Sequence, residues 1–200
     1  MSHLPSELAD EQQTSDQKAI FGFWVYLMTD GILFSALFAT YAVLHNNTYG
    51  GPTGGHLFNL PGAFVETLIL LTSSFTCGLA MLAVRQRAKR PALFWFGLTL
   101  ILGLAFLIME VSEFHHLAAT GNSWTRSGFL SSFFTLVSTH GLHITIGLLW
   151  LVAMMAKIAR NGFSRATIRR LTMFSYFWHF LDIIWVFIFT VVYLMSGAMR

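Results

Sequence analysis

The sequence predicts an all-α integral membrane bundle of five transmembrane helices, and three observations point to it. Of its 200 residues, 55% are hydrophobic and only 10% are charged, against about 25% charged in a typical soluble domain. Five apolar runs, at about 20–45, 62–84, 92–116, 128–156 and 171–196, each reach the ~20 residues needed to cross ~30 Å of hydrocarbon. The basic residues gather in alternate connections between these runs. The net charge of +3 comes from those clusters and forms no basic face, so a nucleic-acid partner is excluded. A single cysteine, Cys77, excludes disulfide frameworks, zinc-finger spacings and the Cys-x-x-Cys-His haem attachment within the chain.

Residues 1–19 are a polar tail carrying Glu7, Asp10, Glu11 and Asp16, expected to be flexible and cytoplasmic. No basic region precedes a short apolar core there, so it does not read as a cleavable signal peptide. Residues 20–200 then form one membrane domain. The first span holds Asp30, ~15 Å along the helix axis. Gly31, Ser35 and Ala39 follow at four-residue spacing, a small-residue seam that lets a neighbouring helix come close. Gly50-Gly51-Pro52-Thr53-Gly54-Gly55 reads as a tight uncharged loop.

The second span carries Glu66 near its start and Thr67, Thr72, Ser73 and Ser74 along it. After the basic stretch Arg85–Arg90, Pro91 is placed to restart a helix in its first turn. The third span is apolar until Glu110 and Glu113, one turn apart, and a polar loop with Trp124 and Arg126 follows. The fourth span contains Thr139-His140-Gly141-Leu142-His143. A basic connection leads to the fifth, which contains Phe177-Trp178-His179-Phe180-Leu181-Asp182-Ile183-Ile184-Trp185.

Lys and Arg bias sets orientation. The second and fourth connections hold four and five basic residues, the first none and the third only Arg126. That places the amino terminus in the cytoplasm and the carboxyl terminus in the periplasm. Trp24, Trp95, Trp124 and Trp150 fit interfacial belts.

Counting residues from the span ends sorts the polar groups into two depths. Asp30, His140, His143, His179 and Asp182 form a mid-depth layer; Glu66, Glu110, Glu113, His115 and His116 form one nearer the outer face. A charge at mid-membrane is costly, ~3 kcal/mol on insertion scales, so such groups face protein. His179 and Asp182, three residues apart, share a helix face and are expected to point into the bundle. Asp30 is expected to pair with His143 or His179.

Three roles stay open on spacing. Glu113-x-x-His116 has the spacing used by di-iron bundles, and His140 with His143 could ligate a metal or haem. Only one Glu-x-x-His helix is present, however, and its glutamates sit above the mid-depth histidines. Proton conduction is the second role, although the two layers do not join into one path. Hydrogen bonding between helices and between subunits is the third, and spacing favours it.

Five phrases, in order and spacing, carry a resemblance. They are Phe21-Gly22-Phe23-Trp24-Val25-Tyr26-Leu27-Met28-Thr29-Asp30, Gly50-Gly51-Pro52-Thr53-Gly54, Met109-Glu110-Val111-Ser112-Glu113-Phe114, Thr139-His140-Gly141-Leu142-His143 and Trp178-His179-Phe180-Leu181-Asp182. From about Ile20 to Gly197 the chain resembles subunit III of the haem–copper terminal oxidases, most closely in the branch of the cytochrome bo-type ubiquinol oxidases. The resemblance implies an accessory subunit without cofactors of its own, the haems and copper residing in a large catalytic subunit I beside it. It further implies bound phospholipid, an inner-membrane location and an influence on proton uptake nearby. Asp30 stands where cytochrome c-oxidising relatives usually carry Glu, and Glu113 matches a second family carboxylate. His140, His143, His179 and Asp182 match the family's buried polar motifs. Longer relatives have seven helices, with a lipid cleft between the first two and the rest. This chain begins at the equivalent of the third, so another subunit must close that cleft if it exists. Five-helix versions also occur in some cytochrome c oxidases, which keeps that electron donor as the alternative.

Overall fold

The computed structural model describes residues 4–45, 47, 60–120 and 127–194. The expected Gly50–Gly55 loop, Trp124, Arg126 and the end of the fifth span beyond 194 lie outside the described residues. Among the described residues, five helices are long and apolar enough to cross a membrane: α1 (Leu4–Leu44), α2 (Leu60–Arg85), α3 (Lys89–Ala119), α4 (Gly128–Asn161) and α5 (Arg165–Ile188). A π-helical turn, Phe189–Leu194, prolongs α5.

α1 differs from expectation at its start. Its 41 residues include most of the polar stretch expected to be a flexible tail. The reason is local: Pro5 is the second helical residue, where its missing N–H costs nothing, and no Gly or Pro interrupts the chain from Ser6 to Phe21. Pro61 and Pro91 likewise stand in the first turns of α2 and α3.

The termini of the later helices are chemically closed. Ser127 accepts from the Leu130 amide at 3.2 Å, and Ser164 from the Thr167 amide at 3.1 Å, each as an N-cap. α4 stops at Gly162, whose φ of 69° suits a residue without a Cβ. Lys89 Nζ donates to the Ala159 carbonyl at 2.7 Å, placing a cation on the negative end of the α4 dipole.

Helices α2, α3, α4 and α5 form a closed ring, each packed on the next and α5 returning to α2. α1 docks on the outside of that ring, mainly on α4 and less on α5. Lipid is as apolar as the interfaces, so close packing and hydrogen bonds hold such helices together. Trp178 shows both. A Cβ on Gly103 of α3 or on Gly147 of α4 would come within 3.0 Å of its ring, so the indole fills the space that two glycines leave. Its Nε1 donates to Ser73 Oγ of α2 at 3.2 Å. One side chain of α5 thus touches all three other helices of the ring. Two turns on, Trp185 Nε1 donates to Thr67 Oγ1 at 3.1 Å. Thr76 and Thr99 hydroxyls, 2.9 Å apart, tie α2 to α3.

Candidate functional site

Three polar places are built into the apolar bundle. The first lies where α1 meets α4. Asp30 Oδ2 stands 3.7 Å from His143 Nε2, so the expected pairing of Asp30 falls on His143 and not on His179. Tyr26, four residues earlier on α1, lies beside the same carboxylate. His143 Nδ1 is 2.7 Å from the Thr139 carbonyl, which can only accept, so this nitrogen carries a hydrogen. Nε2 is therefore the ring nitrogen that faces the Asp30 carboxyl, so each polar group meets another polar side chain and not lipid.

His140, one turn earlier on α4, is fully enclosed, with both ring nitrogens lacking a hydrogen-bond partner. It is stacked on Trp185 at 5.3 Å and met edge-on by Phe106 at 5.9 Å and Phe34 at 6.3 Å. Aromatic rings from α1, α3 and α5 thus converge on one imidazole of α4. Phe34 also packs on His143 at 5.3 Å, so Asp30, His140 and His143 are brought together.

The second place is acidic. Glu66, Glu110 and Glu113 lie within electrostatic reach of one another. Glu110 is 2% exposed and both its oxygens are unpartnered. Its carboxyl covers Gly141, where an added Cβ would stand 2.7 Å from Oε1. The two depths expected to be separate therefore touch, because Glu110 reaches the turn of α4 that carries His140. Residue counting places Glu110 ~13 Å and Gly141 ~20 Å from their helix ends, and the length of the glutamate side chain spans much of the difference. Glu66 and Glu113 line a recess of about 450 Å³ between α2 and α3 together with Ser112 and His116. Tyr193, carried by the π-helical turn, donates to Glu113 Oε2 at 3.1 Å. His115 is exposed. Among the described residues, no group of three or more His, Cys, Asp or Glu is placed to hold a metal ion.

The third place departs from expectation. His179 and Asp182 are only half-buried and line a recess of about 360 Å³ between α2 and α5. The inward face of α5 is occupied by Trp178, Leu181 and Trp185, all buried. His179 and Asp182 each follow one of those residues and are turned by ~100° from it. His179 Nδ1 is 2.5 Å from Ser74 Oγ, while Asp182 Oδ1 has no partner.

The spacing of polar groups by itself does not pair Trp178 with Ser73 or Trp185 with Thr67, yet a signal exists. Trp178 and Trp185 are seven residues apart on α5, and Ser73 and Thr67 are six apart on α2. Antiparallel neighbours with those spacings bring two donors opposite two acceptors. Tyr193 had no such signal, because a π-helical turn shifts its direction.

With this geometry in hand, comparison with known proteins is specific. The sequence profile of the family described as "Cytochrome c oxidase subunit III" matches residues 8–197. The chain is 54% identical over 188 residues to "Cytochrome bo(3) ubiquinol oxidase subunit 3" of Pseudomonas aeruginosa, covering 94% of this chain and 90% of that one. It is 51% identical to the protein of the same name in Pseudomonas putida, covering 91% and 88%. It is 43% identical to "Cytochrome c oxidase subunit 3" of Bacillus sp. strain PS3, covering 88% and 84%.

Proposed function

The chain belongs to the cytochrome c oxidase subunit III family, and from that membership we propose how it works. It is an accessory subunit of a haem–copper ubiquinol oxidase, a multi-pass membrane protein of aerobic respiratory electron transport. The observation that carries this is the match along nearly the whole chain to two proteins named as bo(3) ubiquinol oxidase subunit 3. Their identity exceeds that of the relative named for cytochrome c, which favours ubiquinol as the donor.

The finer reading places the chain in a bacterial inner membrane beside the large catalytic subunit I. That subunit carries the haems and copper, and this one holds no cofactor. The chain stabilises its partner and organises phospholipid around it. The amino terminus and the basic connections Arg85–Arg90 and Lys157–Arg170 face the cytoplasm, supported by the retention of positive charge on that side. The buried acids and imidazoles serve as fastenings: Asp30 with His143, Tyr193 with Glu113, His179 with Ser74.

A gentle detergent pull-down of the tagged chain tests the reading. It should recover a much larger haem-containing polypeptide. Deleting the chain should leave the haem spectrum of the oxidase intact while shortening its working life. A haem band retained by the separated chain would overturn it.

A further inference from the structure

The recess between α2 and α3 lies at the end of the ring opposite the basic turn that joins these two helices. α3 has 31 residues, or about 46 Å, so when centred it outruns ~30 Å of hydrocarbon by ~8 Å at each end. His116, ~5 Å from the end of α3, therefore stands in the hydrated headgroup layer, and Glu113, ~9 Å from that end, at its boundary. Glu66 has the matching height on α2, ~9 Å from Leu60. Ser112 and His116 are exposed at the mouth, Glu113 is half-buried and Glu66 is buried. The recess thus leads from wet headgroups to a buried acid.

Its inner wall calls for an occupant. Glu66 is 3% exposed, lines the recess and has its Oε2 unpartnered. Behind it, ~13 Å from the end of α3, Glu110 lies within electrostatic reach of both Glu66 and Glu113 and has neither oxygen bonded. Buried polar atoms are nearly always hydrogen-bonded, and ordered water meets the demand where side chains do not. Acyl chains carry no donor. A volume of about 450 Å³ has room for on the order of ten waters at ~30 Å³ each. Glu110 is 2% exposed, so only a molecule as small as water reaches its oxygens. Among the described residues lining the recess there is no Lys or Arg, and the carboxyl groups offer acceptors, which favours cations over anions.

We propose that the recess is a water-filled inlet selective for small hydrated cations. Water enters between α2 and α3, bonds Glu66 and Glu113 and, behind them, Glu110. The inlet ends where the Glu110 carboxyl covers Gly141, because Phe34, Phe106 and Trp185 enclose the neighbouring His140. It is a blind passage and not a conduit across the membrane.

The test uses the full chain isolated in its oxidase complex. Met109→Cys places a thiol on the lining, and Val111→Cys places one at nearly the same height on the exposed apolar face of α3. Methanethiosulfonates attack thiolates, which form only where water reaches. The ethylammonium reagent should modify Met109→Cys and leave Val111→Cys unmodified. At Met109→Cys it should outpace the anionic ethylsulfonate reagent by about tenfold or more, each rate taken relative to free cysteine. Modification of both thiols alike, or of neither, overturns the inlet; equal rates for the two reagents overturn its selectivity. Brief hydroxyl-radical footprinting of the unaltered complex gives a second measurement that depends on no variant. Met109, half-buried beside the recess, should be oxidised about tenfold faster than Met28, which is 64% exposed on the apolar face of α1. Oxidation of Met28 at an equal or higher rate overturns the proposal.

Discussion

Asp30 and His143 face each other where the outlying helix meets the ring: the carboxyl oxygen stands 3.7 Å from Nε2 while Nδ1 is committed to the Thr139 carbonyl. Tyr26 also lies beside Asp30, and the Thr139 carbonyl holds His143 Nδ1, so removing one partner deprives the other only of its polar contact across the α1–α4 seam, whereas removing both leaves no such group there.

The pair should therefore be strongly non-additive. His143→Phe and Asp30→Leu are each expected to destabilise the chain, and the double variant to recover much of the loss. A coupling of ~0.5–3 kcal/mol is expected for groups in direct contact. Titration of the purified protein with sodium dodecyl sulfate, followed by tryptophan fluorescence, measures it; additive losses would dismiss the pairing.

Gly147 and Gly103 admit Trp178 by lacking a Cβ. Gly147→Ala should cost ~1–3 kcal/mol through overpacking, since an indole ring wedged between helices has little room to retreat. The same alanine at Gly78, beside open space, should be nearly neutral in the isolated chain. Comparing the two by thermal unfolding in detergent separates internal from external glycine positions.

Trp185→Phe removes a donor from Thr67 but keeps the ring against His140 and Phe106. A loss of ~0.5–1.5 kcal/mol is expected from one net hydrogen bond. Thr67→Val should cost a similar amount, and the double variant little more than either single one. Unfolding midpoints of the three variants decide whether the bond exists.

Orientation can be read chemically. Cys77 is fully enclosed, so an introduced cysteine reports without competition. Arg87→Cys, in the turn between α2 and α3, should react with an impermeant maleimide only when the reagent reaches the cytoplasmic face. Labelling of intact spheroplasts from outside would reverse the topology.

The five spans were legible because length and composition alone define a crossing, and Asp30 was legible as needing an imidazole partner. What the sequence concealed was rotation about each helix axis. A helix apolar all round gives no stripe to mark its inner face, so His179 and Asp182 could be placed in depth but not in direction. Trp178 and Trp185 claimed the interior of α5 instead, through contacts that depend on glycines and hydroxyls of other helices. Glu110 eluded residue counting for a related reason: the reach of its side chain carries the carboxyl to another level. The start of α1 escaped because polar sequence was equated with irregular structure, although nothing in it breaks a helix.

The ring closed by α2 to α5, with α1 seated outside on α4 and α5, has a consequence for biosynthesis. The first crossing to leave the ribosome finds its dock only after the last two have been made. Asp30 and His143 are 113 positions apart in the chain, or about 6–23 s of translation at ~5–20 residues per second. Throughout that interval a carboxyl waits in the bilayer for its imidazole, so the newborn protein is most vulnerable to quality-control proteases before its fourth crossing arrives.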